Sequence, residues 1–142
     1  MTEHRKTDFL IIGSGVAGLY TAIRAAAHGS VTLVTKGRLL ESNTWYAQGG
    51  IAAAISESDS PQAHLYDTLQ AGAGLCLEEA VAVLVTEGPQ RILDLISLGT
   101  HFDRSPSGEL VLGREAAHSH RRIVHARGDA TGAELTESLA DH

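Results

Sequence analysis

Gly13, Gly15 and Gly18 stand in GxGxxG order within GSGVAG, a spacing that suits a diphosphate. The first glycine permits a tight turn, the second lets the backbone come close to a pyrophosphate, and the third lets a helix pack closely on a strand. Amide groups at the helix N-terminus then face the anion. By itself the pattern also fits a glycine-rich turn that merely packs, so the flanking elements decide its meaning. A chain that reads NAD in the ordinary way carries an acidic residue about 20 positions further on to bind the ribose hydroxyls. That place holds Thr35 and Lys36, which argues against the ordinary NAD reader and leaves the ligand as a dinucleotide.

Two other stretches carry chemistry. SNTWYAQGG, residues 42 to 50, combines an indole, a phenol, an amide and two glycines and suits no regular element. REAAHSHRR brings Glu115, His118, His120, Arg121 and Arg122 close together, with His125 nearby. These residues fit a metal site, a solvated hydrogen-bonded surface, or a carboxylate facing a substrate. No cysteine or clear carboxylate set completes a metal site, so no bound metal is expected. The roles of His118, His120, Arg121 and Arg122 stay open at this stage.

The elements around the glycine turn favour the dinucleotide. FLII, Phe9 to Ile12, is a short apolar run that suits a strand buried on both faces of a parallel sheet. Leu19, Ile23 and Ala26 fall at helical spacing between Val16 and His28, and Gly29 supplies a stop. VTLVT, Val31 to Thr35, reads as a second strand, so residues 8–35 spell one βαβ unit with parallel strands. GIAAAI, Gly50 to Ile55, resumes an apolar pattern before the polar break SESDSP. Pro61 opens a helix through Ala71, and Leu77 to Gly99 suggests two helices meeting at a bend at Gly88 and Pro89. A hairpin is expected over Arg104 to Leu112. Thr131, with Glu134 three residues later, reads as a capping box for a helix that runs to the end of the chain.

The bulk numbers agree with one core or part of one: 142 residues, 43% of them hydrophobic. A formal net charge of -6 gives no general attraction to nucleic acid or an anionic membrane. No apolar run reaches the roughly 20 residues that span a bilayer. Cys76 is the only cysteine and no secretory leader pattern precedes the first strand, so a reducing, cytoplasmic setting is expected.

The run KGRLLESNTWYAQGGIAA resembles the segment after the second strand in the succinate dehydrogenase and fumarate reductase flavoprotein family. GSGVAG, DTLQAGAGLC (Asp67 to Cys76) and REAAHSHRRIVHARGDATG (Arg114 to Gly132) extend the likeness over nearly the whole chain, most closely to the family's aspartate-oxidising branch. The resemblance implies an α/β fold, a Rossmann-like FAD-binding domain with a parallel sheet. It implies FAD contacts at Ser14, Gly15, Val16, Ala17, Lys36 and the run Asn43, Thr44, Trp45, Tyr46, Ala47, Gln48, Gly49, Gly50, with Gly13 and Gly18 shaping the phosphate turn. Glycines let backbone approach a flat ring, and amide N–H groups there tune its electronics. Respiratory members have a histidine, bonded covalently to the flavin, where this chain has Asn43. An amide cannot make that bond, so the resemblance implies a non-covalent FAD.

Glu115 matches a glutamate near the substrate in the aspartate-oxidising branch. Aspartate differs from succinate by one ammonium, which a carboxylate can pair with. The implied activity is oxidation of L-aspartate to iminoaspartate with oxygen or fumarate as acceptor, opening NAD biosynthesis and feeding quinolinate synthase. A soluble fumarate reductase-like flavoprotein and a non-catalytic nucleotide-binding module are the alternatives. The family's catalytic arginines and histidines lie further along, so the chain is expected to be the N-terminal part of a discontinuous FAD-binding domain. It would comprise the βαβ unit, a flavin loop over 36–55 and a helical and hairpin segment over 61–142, without the capping and C-terminal domains. Alone it is expected to be inactive, with an unpaired sheet edge and uncovered apolar helix faces.

Overall fold

Four consecutive apolar residues and the glycine after them set the first element, β1, Phe9–Ile12. The chain then turns into α1, Val16–Ala26, and returns as β2, Val31–Val34. The computed structural model describes residues 4–115 and 117–142. β1 and β2 pair in parallel from Phe9 opposite Val31 to Ile12 opposite Val34, as the βαβ reading requires. Asp8 fixes the return, accepting from both the amide and the hydroxyl of Ser30 at 2.8 Å.

β1 is not buried on both faces as its composition predicts. Leu10 is 60% and Ile12 83% exposed, because among the described residues β1 has only β2 beside it and α1 packed against it. The expected uncovered edge is therefore present.

The remaining strands form a small second sheet. β3, Ile51–Ala52, and β4, Leu112–Gly113, flank the central β5, Ile123–Val124, and both pairings are antiparallel. The expected hairpin before β4 is reduced to one bridge, Arg104 to Leu110, closed by a turn in which Gly108 N–H donates to Ser105 O. Gly108 has φ 88°, a conformation that glycine adopts without a Cβ penalty.

Three further helices complete the chain. α2, Pro61–Ala71, starts as predicted: Ser60 Oγ accepts from Ala63 N–H at 3.1 Å and Pro61 occupies the first turn, where its missing donor costs nothing. α3, Glu78–Ser97, runs unbroken through Gly88 and Pro89, which corrects the two-helix expectation. Val81, Val85, Ile92 and Leu95 form one buried stripe on both sides of the proline. Their burial, about 1.5 to 3 kcal/mol per side chain, outweighs one lost helical hydrogen bond.

α4, Thr131–Ala140, ends before the last two residues, and its capping box is not formed. Thr131 Oγ1 instead accepts from Ala126 N–H at 3.1 Å. The Glu134 carboxylate accepts from His101 N–H at 2.8 Å and pairs with Arg127. Tertiary partners have taken both side chains that a local cap would use. The core lies where these layers meet, with Leu19 of α1, Ile92 and Leu95 of α3, Val124 of β5, and Leu135 and Leu139 of α4 packed together around Phe102.

Candidate functional site

A cleft of about 760 Å³ opens at the carboxyl ends of β1 and β2, the place where an open parallel sheet binds ligands. Ile12, Gly13, Ser14 and Gly15 line one side, and Val34, Thr35 and Lys36 the floor. Glu41, Ser42, Asn43, Thr44 and Tyr46 close it from the loop.

The glycine turn is built as its spacing predicts. Gly13 adopts φ 110°, open to glycine and strained for any other residue. A Cβ on Gly18 would stand 2.0 Å from the Gly13 carbonyl oxygen, so the third glycine is there for contact between helix and turn. Ser14 is buried and donates its hydroxyl to Thr35 Oγ1 at 3.2 Å, tying the turn to the end of β2.

An α-helix leaves its first amides without acceptors of its own. Thr44 Oγ1 accepts from the first of these, Val16 N–H, at 3.0 Å. A Cβ on Gly15 would lie 3.3 Å from the same hydroxyl. One side chain thus joins the loop to the mouth of α1. The loop is held at its far end by α4: Gly132 N–H donates to Ala47 O at 3.0 Å, and a Cβ on Gly132 would fall 1.7 Å from Thr44 O. Ser42 Oγ accepts from Trp45 N–H at 3.2 Å and stiffens the bend between them.

Of the residues expected to contact a dinucleotide, Gly13, Ser14, Gly15, Lys36, Asn43, Thr44 and Tyr46 line this one cleft. Val16, Ala17 and Gly18 lie behind it in α1, and Trp45 is half-buried away from its walls. Ala47, Gln48 and Gly49 are exposed beyond it. Gly50 is pressed against the second sheet, where a Cβ would meet Val124 O at 2.3 Å. Ile12, Val34, Glu41 and Ser42 were not singled out from sequence. The strand ends among them follow from the rule for parallel sheets, whereas Glu41 and Ser42 depend on how the loop folds back.

The charged histidine segment is anything but a solvated surface at its centre. Arg122 is fully buried. Its Nε and Nη2 donate to the two Asp59 oxygens at 2.7 and 2.8 Å, and Nη1 donates to Asp67 Oδ2 at 2.7 Å. Burial pushes the Asp67 carboxyl up, but hydrogen bonds from Ser119 N–H, Ser119 Oγ and Arg122 outweigh it and hold the group at about 2. His118 and His120 turn Nδ1 toward the guanidinium at 3.2 and 3.5 Å. Burial and the neighbouring Arg122 cation push His64 below the usual imidazole range. Its buried Nδ1 has no hydrogen-bond partner among the described residues.

Among the described residues no group of three or more histidine, cysteine, aspartate or glutamate side chains could hold a metal ion. Glu115 stands apart from the buried network, half-exposed, accepting from His125 Nε2 at 3.2 Å. Arg121 is exposed and, among the described residues, reaches only the Leu112 carbonyl, at 3.4 Å.

The cleft fits an extended dinucleotide: a glycine turn without side chains where a diphosphate needs backbone, a lysine at the end of β2, and a loop continuing away from it. The sequence profile of the FAD binding domain matches residues 8–142, and the chain belongs to that family. It is 54% identical over 135 residues to the L-aspartate oxidase of Streptomyces coelicolor, a match covering 94% of this chain and 23% of that protein. With L-aspartate oxidase 2-a, chloroplastic, of Nicotiana tabacum it is 52% identical over 137 residues, 96% of this chain and 21% of the relative. Among solved structures the Mycobacterium smegmatis Sdh1 complex in the apo form superposes with TM-score 0.88 at 34% identity, over 94% of this chain and 23% of that one. A quinol-fumarate reductase with menaquinol molecules gives TM-score 0.88 at 31% identity, over 95% and 24%. The cofactor of this fold is FAD. The chain spans less than a quarter of the length of these relatives. No helix among the described residues is long and apolar enough to cross a membrane.

Proposed function

We propose that this chain supplies the dinucleotide-holding part, and one substrate-recognising carboxylate, of an FAD-dependent oxidase that converts L-aspartate to iminoaspartate. The observation that carries the reading is the single cleft in which the phosphate turn, Lys36 and the Asn43 to Tyr46 loop converge. The likeness to aspartate oxidases at 52 to 54% identity supports the substrate. When bound, FAD supplies the acceptor for the hydride leaving the aspartate α-carbon, and oxygen or fumarate then takes up the electrons.

The chain's own residues hold and select. Backbone amides at the mouth of α1 and the Lys36 ammonium compensate the diphosphate charge. Asn43 carries an amide and forms no bond to the flavin, which stays dissociable. Gly49, beyond the cleft and free of packed neighbours among the described residues, lets the backbone lie against the ring system, while Gly50 holds that end of the loop on β5. Glu115 pairs with the substrate ammonium, the one group by which aspartate differs from succinate. Groups that grip the two carboxylates are not assigned to these 142 residues, so the isolated chain is expected not to turn over. The product would pass to quinolinate synthase in the reducing cytoplasm, as the first step toward NAD.

A fumarate reductase-like activity is the second reading, favoured by the structural likeness to a quinol-fumarate reductase and disfavoured by Glu115 and by the 52 to 54% identity to aspartate oxidases. An anaerobic visible spectrum of the full-length holoenzyme separates the two. L-aspartate should bleach the flavin, and acid precipitation should leave the flavin in the supernatant. Bleaching by succinate and not by aspartate overturns the first reading.

A further inference from the structure

His125 stands where three segments meet. Its carbonyl accepts from Asp103 N–H at 2.8 Å, which holds the backbone just past β5. Its ring lies in a slot between two glycines. A Cβ on Gly113 of β4 would come 2.8 Å from Cε1, and a Cβ on Gly50, at the end of the flavin loop, 3.0 Å from Cδ2. Neither position could carry a side chain while the ring stays where it is. From that slot Nε2 donates to Glu115 Oε1 at 3.2 Å.

No other side chain among the described residues hydrogen-bonds this carboxylate, which is 55% exposed. An untethered glutamate on such a loop would sample many rotamers and lose that freedom only on meeting its ligand. One imidazole N–H engages one oxygen and leaves the other, with its lone pairs, free. We infer that His125 is a positioning residue that sets the Glu115 carboxylate for the substrate ammonium, its ring in turn set by Gly50 and Gly113. This rests on the reading of Glu115 given above. The slot also links recognition to the flavin loop, since one of its walls is the last residue of SNTWYAQGG.

The test uses full-length, FAD-loaded enzyme with two polar substitutions of similar size. His125→Gln places an amide N–H near the position of Nε2, whereas His125→Asn is too short to reach Glu115. His125→Asn should raise KM for L-aspartate about tenfold, the loss of roughly one charge-assisted hydrogen bond. The inhibition constant of succinate, which has both carboxylates and no ammonium, should move less than about twofold. His125→Gln should recover most of the loss, and Glu115→Gln should make His125→Asn silent, as expected for coupled residues. Equal effects of His125→Asn on aspartate and succinate, or no effect on either, overturn the inference while leaving the Glu115 reading intact. If Glu115→Gln itself treats the two ligands alike, it is the Glu115 reading that fails, and the positioning role falls with it.

Discussion

Arg122 grips Asp59 through a two-point contact, Nε to Oδ2 at 2.7 Å and Nη2 to Oδ1 at 2.8 Å, with both side chains fully out of solvent. The pair ties the start of β5 to the turn before α2. Removing one side of a buried ion pair leaves an uncompensated charge and costs about 3 to 5 kcal/mol. Arg122→Ala should therefore lower the unfolding free energy by that amount, seen as a lower urea midpoint at an unchanged slope. Arg122→Lys should recover only part of it, because an ammonium cannot make the forked contact.

Acid should weaken the same region in a definite window. Asp67 titrates at about 2 in the folded chain against an ordinary 3.8. Its contribution is fully present above about pH 3.8 and is lost as pH falls through about 2, since the unfolded chain takes up the proton first. His64 is also held low, so stability should begin to fall already below the ordinary imidazole value of 6.5, as the unfolded histidine protonates. Thermal melts across the acid range should show both slopes. Asp67→Asn should make the lower one shallower, with Asp59 and Glu134, also held low, carrying what remains, and His64→Gln should flatten the upper.

Glycine substitutions distinguish packing from ligand contact. A Cβ on Gly132 falls 1.7 Å from Thr44 O and one on Gly18 falls 2.0 Å from Gly13 O, while one on Gly49 meets nothing within 4 Å. Gly132→Ala and Gly18→Ala should weaken FAD binding by about tenfold or more together with a loss of stability of about 1 to 3 kcal/mol from overpacking. Gly49→Ala should leave the melting temperature of the apoprotein unchanged. A fall in FAD affinity from that variant, read by flavin fluorescence, then reports the ligand's own approach to the backbone.

Charge selection by Glu115 has a direct measurement. Glu115→Gln keeps the shape and removes the negative charge, so affinity for L-aspartate should drop about tenfold to a hundredfold, as for loss of a charged hydrogen bond. Fumarate and succinate should be affected little. Equal losses for all three ligands would remove the role from this residue.

Local patterns make the βαβ unit legible in the sequence, because strand, glycine turn, helix and strand are each written within a few residues. Pro61 marks the start of α2 for the same reason, whereas the Ser60 cap beside it is hidden in a polar break. The breaks came where partners outside the element prevailed over a local rule. Pro89 did not stop α3, since Val85 and Ile92 continue one buried stripe across it. Thr131 and Glu134 did not cap α4, since Ala126, His101 and Arg127 claim their oxygens. The Arg122 network was hidden most completely. Its carboxylates come from a segment that reads only as a polar break and from a helix, 63 and 55 positions away in the chain.

The Thr44 hydroxyl, shared between the loop and the first amide of α1, makes the two ends of the cleft one mechanical unit. Loosening the aromatic stretch releases a donor beside the glycine turn, and disturbing the turn frees the loop. A ligand that orders one half of such a groove thereby helps to order the other, so the groove favours a whole two-part ligand over the sum of its pieces.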